Sequence, residues 1–270
     1  MTDQVIDVWD VASFDDALLA HLRTKAELTR NYMVTDRNNF LEYTTSKSWQ
    51  PLKPNSFSTA YQDFIEQTIM PDMQDRIIRA WHYARLTDAE AELLNTRGIY
   101  LSTLDTIRSR LNMQISEGLL SAAAAATLYA ASPFHHQNDQ RSKRFWMTSH
   151  PHAVDDSGVT MLLEHWGGEG IYFSQKDADL IKLVKGIGKP RVIEIAVPLN
   201  ATNHALGAAS AVVATFAQTL GCKPDRTVFD LYSTRDLGPA SVLKIHTDGD
   251  PVFPALARVY PASFAPAPDI

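Results

Sequence analysis

The chain has 270 residues, 45% hydrophobic and 21% charged, enough for one large domain or a domain with a helical appendage. A net charge of −6 argues against a broad nucleic-acid-binding surface and leaves room only for a local basic patch. One cysteine, Cys222, rules out a disulfide framework; with an acidic N-terminus and no apolar run longer than 119–131, the expected setting is cytoplasmic and off the membrane.

In chain order, Phe14, Leu18, Leu19 and Leu22 have helical spacing, predicting a helix over 13–30. Residues 31–58 are polar and read as loop-rich. Residues 60–79 predict a second helix, interrupted near Pro71. Together these form an expected N-terminal helical cover, residues 1–79. A short strand is predicted at 81–85. Thr87-Asp88-Ala89-Glu90 is a capping box, so a helix over 88–97 should follow and stop at Gly98.

Leu101, Leu104, Ile107, Leu111 and Ile115 recur at threes and fours and predict an amphipathic helix. Ser121 can cap an Ala-rich helix ending near Ala131. Residues 133–154 are polar and irregular, with a strand at 145–147. Residues 159–163 suit helix or strand, and 170–173 read as a strand. A short helix at 177–185 precedes a strong strand at 191–197, closed by Pro198. An apolar helix over 207–220, strands at 228–232 and 242–246, and a last helical turn over 251–259 complete the pattern. Separate strands and helices suggest an α+β fold.

Three segments stand out in this order: Trp81-His82-Tyr83-Ala84-Arg85, Gly98-Ile99-Tyr100-Leu101-Ser102 and Gly170-Ile171-Tyr172-Phe173-Ser174. The ordered set resembles the ADP-ribosyltransferase superfamily, above all the branch of poly(ADP-ribose) polymerases, DNA-targeting ADP-ribosyltransferase toxins and RNA 2′-phosphotransferases. The resemblance covers roughly residues 80 to 248. It implies a split β-sheet core over 80–270, with N-terminal helices and a helical insertion at about 101–132. NAD is then a substrate and no metal is needed.

The resemblance implies that His82, with Tyr83 beside it, meets the ribose or nicotinamide end of NAD. An imidazole suits that place because it offers a donor and an acceptor in one rigid ring. Tyr172 would supply a flat wall for nicotinamide. Arg85 could grip a pyrophosphate bidentately, or be a solvated charge at the helix entrance. Ser102 could bind ligand or cap the next helix, and capping is the expected job. Arg144, with Arg141 and Lys143, could face phosphates or belong to a solvated loop.

The family's catalytic carboxylate stabilises a positively charged ribose. Its expected position holds Val228, and Asp230 lies two residues on, with the same strand parity. Asp230 is therefore the first candidate and Glu169 the second, with Glu164 and Glu194 behind them. The missing Glu points away from polymer formation. It leaves mono-ADP-ribosyl transfer or NAD cleavage as the leading expectation, with RNA 2′-phosphotransfer or an inactive binding module as alternatives. The acceptor stays open: protein, nucleic acid or water. His135, His136, His150 and His152 invite a zinc reading, but their uneven spacing and the single cysteine favour a polar loop.

Overall fold

The computed structural model describes residues 4–46, 51–225 and 228–256. It is an α+β structure that divides into two compact units. Described residues within Met1–Arg79 and Pro198–Phe229 form the first unit, and those within Ala80–Val197 and Asp230–Arg258 form the second.

The first unit is mostly helical. Its helices include Asp16–Thr24, Ala26–Thr45, Ser58–Phe64, Met70–Gln74 and Ala205–Thr219, with a π-type segment at Ile65–Ile69. Strand β1 (Val5–Ile6) runs parallel to Ile77 and Ile78. The 31–58 stretch expected as loop is helical as far as Thr45. Only Thr29 of that helix is buried, so no apolar stripe announces it. By contrast, Ala205–Thr219 is apolar nearly all round and buried accordingly, with Thr215 Oγ1 donating to the Val8 carbonyl at 2.7 Å. Pro71 sits in the first turn of Met70–Gln74, where a proline's missing N–H costs nothing.

The second unit is built on a sheet. Strands β2 (Ile77–Leu86), β3 (Phe145–Thr148), β4 (Lys189–Pro198), β5 (Asp230–Ser233) and β6 (Val242–Thr247) lie in the order β5-β3-β2-β4-β6. The pairings β2–β3, β3–β5 and β4–β6 are antiparallel. β2 is longer than expected: Ile77 and Ile78, assigned to a helix from their apolar character, belong to it. Helices Asp88–Arg97, Leu104–Ser116 and Ala122–Ala130 follow β2, and Ser157–Glu164 and Ala178–Gly186 precede β4. Among the described residues no helix is long and apolar enough to cross a membrane.

The 170–173 strand is not there. Glu169–Tyr172 is a helical turn instead. Gly167 and Gly168 take positive φ values of 85° and 59° and reverse the chain. Gly168 then accepts the Ile171 and Tyr172 N–H groups at 3.0 and 3.1 Å. Four alternating residues carry too little periodicity to separate strand from turn.

The capping box at the head of Asp88–Arg97 forms as expected, and the helix stops at Gly98 with φ +84°. A Cβ there would lie 2.1 Å from the Leu237 carbonyl oxygen, because Ile99 and Leu237 exchange backbone hydrogen bonds at 2.8 and 2.9 Å. Gly118 has a similar φ of +72° and open space around it. Gly118→Ala should therefore cost only the left-handed backbone penalty, about 1–2 kcal/mol. Gly98→Ala should add an overpacking cost of about 1–3 kcal/mol. Urea denaturation of both variants checks this, and equal losses would show that the Leu237 contact is unimportant.

Candidate functional site

Glu90 is the third residue of its helix and should be solvent-exposed on a surface helix, yet it is 3% exposed. Its Oε2 accepts the Thr87 backbone N–H at 2.9 Å and the Trp166 indole N–H at 2.8 Å. Its Oε1 accepts the Arg110 Nε–H at 2.8 Å. Burial alone would push this carboxyl up. The Arg110 charge and the Thr87 and Trp166 donors outweigh that and hold it below the usual glutamate range.

Arg110 occupies an apolar stripe. Ile107, Arg110, Leu111 and Gln114 fall at i, i+3, i+4 and i+7 of Leu104–Ser116, with Ile107, Leu111 and Gln114 buried. Its guanidinium carbon lies 5.1 Å from the Trp166 ring centroid. With Nε given to Glu90, its Nη2 is buried without a hydrogen-bond partner among the described residues.

His82 is half-buried on β2, its ring 4.4 Å from that of Phe145. Its Nδ1 lies 2.8 Å from the Trp146 carbonyl oxygen. A carbonyl only accepts, so Nδ1 carries the proton and Nε2 presents a lone pair. Burial, helped by the Arg110 charge, lowers the His82 pKa to about 4. The ring is thus neutral at pH 7. His82 and Arg110 together offer a neutral acceptor and a cationic donor within reach of one another's fields.

The loop after Trp166 packs on the same helix as Arg110: a Cβ on Gly170 would touch Ile107 and Phe134. Tyr172 lies with its ring centroid 4.9 Å from that of His165. Burial and the nearby Glu169 charge push its phenol up to about 12, so it stays protonated. Glu169 is 47% exposed and ion-paired with Arg141, whose guanidinium also covers the Phe173 ring at 4.5 Å.

Other expected site residues are placed elsewhere. Thr148 pairs with both Trp81 and Asp230, so these three share one face of the sheet. His82, next to Trp81, projects from the opposite face with Phe145. Asp230 and His82 therefore do not meet. Arg144 belongs to the Asp230 face, stacked over Tyr232 at 4.5 Å and Trp146 at 5.9 Å. Arg85 gives its Nε–H to the Ile187 carbonyl at 2.7 Å and an Nη1–H to the Leu163 carbonyl at 3.5 Å. The Tyr83 hydroxyl donates to the His152 carbonyl at 3.0 Å, and its ring joins Trp81, Val159, Leu163 and Val192 in a core cluster.

Ser102 does not cap: Thr103 does, in a capping box with Thr106, while Ser102 pairs with the Lys143–Arg144 backbone. Glu164 is ion-paired with Lys185 at 2.7 Å, and Glu194 is hydrogen-bonded to the buried His246 at 2.6 Å. His135 bonds the Tyr129 carbonyl, and among the described residues no three His, Cys, Asp or Glu side chains converge for a metal. Sequence reasoning passed over Arg110 and Gln114. The available signal was a charge and an amide inside an otherwise apolar helical stripe.

No protein-family model, curated protein or solved structure matches this chain.

Removing one partner of a buried ion pair strands the other, at about 3–5 kcal/mol. Glu90→Gln should lose stability on that scale at pH 7. In the wild type the Glu90 contribution is complete above the unfolded glutamate pKa near 4.3 and is lost as pH falls through the lower folded value. Acid titration of both proteins by circular dichroism checks this. A Glu90→Gln variant as stable as wild type at pH 7 would show that the pair contributes nothing.

His82 has the opposite charge type and the same direction of pH effect. Its folded pKa near 4 lies below the unfolded value of about 6.5. Its contribution is complete above pH ~6.5 and declines as the unfolded chain takes up the proton first. In a nitrogen-15 spectrum the His82 ring should remain in the Nδ1–H neutral form at pH 6. An imidazolium signal at that pH would overturn the assignment.

Proposed function

We propose that the second unit binds NAD and breaks its nicotinamide–ribose bond, passing ADP-ribose to water or to an acceptor. What supports this reading is that His82, its Nδ1 given to the Trp146 carbonyl, keeps Nε2 as an acceptor in the field of the Arg110 guanidinium, whose Nη2 has no hydrogen-bond partner among the described residues. A ligand that fills both must supply a hydroxyl donor and an electronegative acceptor. A nucleotide ribose with its neighbouring groups does so. The ordered resemblance to ADP-ribosyltransferases over residues 80–248 narrows the nucleotide to NAD.

The chemistry assigned to the residues is simple. The bond between ribose C1′ and the nicotinamide nitrogen breaks, and its electron pair goes to that nitrogen. The acceptor oxygen or nitrogen attacks C1′ and loses a proton. Positive charge builds on the ribose, and a fixed carboxylate lowers that barrier. Glu169 takes this role, because its loop is tied through Trp166 to Glu90 and packs on the helix that carries Arg110. Asp230, on the other face of the sheet, does not. RNA 2′-phosphotransfer is less well supported, since Arg85 is committed to backbone carbonyls and Arg144 is stacked on the Asp230 face.

The test is nicotinamide release from NAD by the full chain, followed by chromatography, with NAD affinity from calorimetry. Wild type should release nicotinamide. Glu169→Gln should turn over about 100- to 1,000-fold more slowly with NAD affinity within a few-fold, since the group acts mainly in the transition state. His82→Ala should weaken NAD binding, and Asp230→Ala should leave both quantities near wild type. A wild-type protein that neither binds nor cleaves NAD ends this reading.

A further inference from the structure

The face of the sheet that carries Asp230 is only partly covered. Over β2, Trp81 is 3% exposed and joins Val159, Leu163 and Phe253 in a buried cluster. Over β3 and β5 the cover stops, and Trp146, on the same face, is 42% exposed. It does not stand alone. Trp146 and Tyr232 are cross-strand partners with ring centroids 4.7 Å apart. The Arg144 guanidinium lies over both rings, and its Nη1–H donates to the Gln140 carbonyl at 2.9 Å, which orients the planar fork.

Along this ribbon the chemistry changes in one direction. Phe145 pairs with Ser233, so Lys143 and Arg144, just before Phe145, lie at the same end as Arg235, two residues after Ser233. Trp146 and Tyr232 form the middle, and Thr148 and the exposed Asp230 close the other end. At about 3.4 Å per residue, Arg144 to Thr148 spans about 14 Å. Cations, then π faces, then a hydrogen-bond acceptor complement a nucleotide's phosphate, planar base and exocyclic amino group. Lys143 has a φ of 56°, in the left-handed region that a lysine rarely enters. Its N–H donates to the Ser102 carbonyl at 2.8 Å, and the Arg144 carbonyl accepts the Ser102 N–H at 3.2 Å, so the cationic turn is held in place.

We propose that the β3–β5 ribbon binds single-stranded nucleic acid. An unpaired base stacks on Trp146 beside the Arg144 guanidinium, and the flanking phosphates meet Lys143, Arg144 and Arg235. Aromatic rings and guanidinium planes both accept a base. The Asp230 carboxylate only accepts hydrogen bonds, so it favours cytosine, which offers an amino group at this edge, over thymine, which offers a carbonyl oxygen. A duplex keeps its π faces within its own stack and is excluded. With a net charge of −6 the chain has no broad phosphate track, so the contact is short and salt-sensitive. It lies on the face opposite His82 and does not depend on the NAD reading.

Fluorescence anisotropy of labelled cytosine and thymine hexadeoxynucleotides with the full chain tests this. Wild type should bind the cytosine strand about fivefold or more tighter than the thymine strand or a duplex of equal length. That affinity should fall about fivefold or more between ~50 and ~200 mM salt. Trp146→Ala should lose about tenfold or more. Trp146 also braces the β3–β5 pair, so two exposed positions carry the test should that variant fail to fold. Asp230→Ala should equalise cytosine and thymine. Lys143→Asn keeps a residue type that tolerates the left-handed turn, and should flatten the salt dependence. A wild type that binds no oligonucleotide overturns the proposal and leaves the ribbon to a protein partner or to bracing the sheet. A folded Trp146→Ala that binds as wild type does also overturns it, as do Asp230→Ala and Lys143→Asn variants that both keep the wild-type preference and salt dependence.

Discussion

A carboxylate that is taken out of water must be surrounded by donors, and Glu90 organises the second unit around that demand. Its three partners come from three places in the chain: Thr87 at the head of its own helix, Arg110 on the next helix and Trp166 before the double-glycine turn. Each donor is held by the need to satisfy the others. The capping box alone is an ordinary helix start. Coupled to a half-buried arginine and a fully buried tryptophan, it becomes the joint that sets the helix Leu104–Ser116 and the loop before Glu169–Tyr172.

Arg110 shows why the joint also matters for ligand chemistry. Guanidinium donors lie in a rigid planar fork, so fixing Nε on Glu90 fixes the direction of Nη2. The charge is neutralised locally by Glu90 and the fork is braced against the Trp166 ring. What remains is an oriented donor that has lost its water and found no protein replacement. His82 is its counterpart. Its Nδ1 is committed to the Trp146 carbonyl, which fixes the tautomer and leaves Nε2 as an acceptor. Both groups are oriented by the bonds that they make within the protein, the kind of arrangement that makes polar recognition efficient.

The sheet separates functions by face. On one side His82 and Phe145 meet, and on the other Trp81, Tyr83, Trp146, Tyr232 and Asp230 project. Several polar residues on the second face hold the fold. Tyr83 ties β2 to the His152 backbone, Arg85 closes the carbonyls of Ile187 and Leu163, and Glu194 pairs with His246 across β4 and β6. A polar side chain near a motif histidine in sequence is thus as suited to pinning a loop as to touching a ligand, and one residue of strand parity decides which.

Much of the local structure was legible in the sequence. The capping box and Gly98 bound a helix because caps act within a few residues. β4 and the apolar helix Ala205–Thr219 announce themselves because their patterns are long. The α+β class follows from how such elements alternate. What only the tertiary structure decided is non-local. The helical turn at Glu169–Tyr172 depends on positive-φ glycines that a four-residue alternation cannot reveal. Asp230 and His82 part company because β3 lies between their strands and its register, set across 60 or more residues of chain, places them on opposite faces. Arg110 and Gln114 look like interruptions of an apolar stripe until Glu90 and Trp166 are brought beside them. Local chemistry fixes where elements begin and end; which side chains share a face and which polar atoms lack a partner emerges only when distant segments pack.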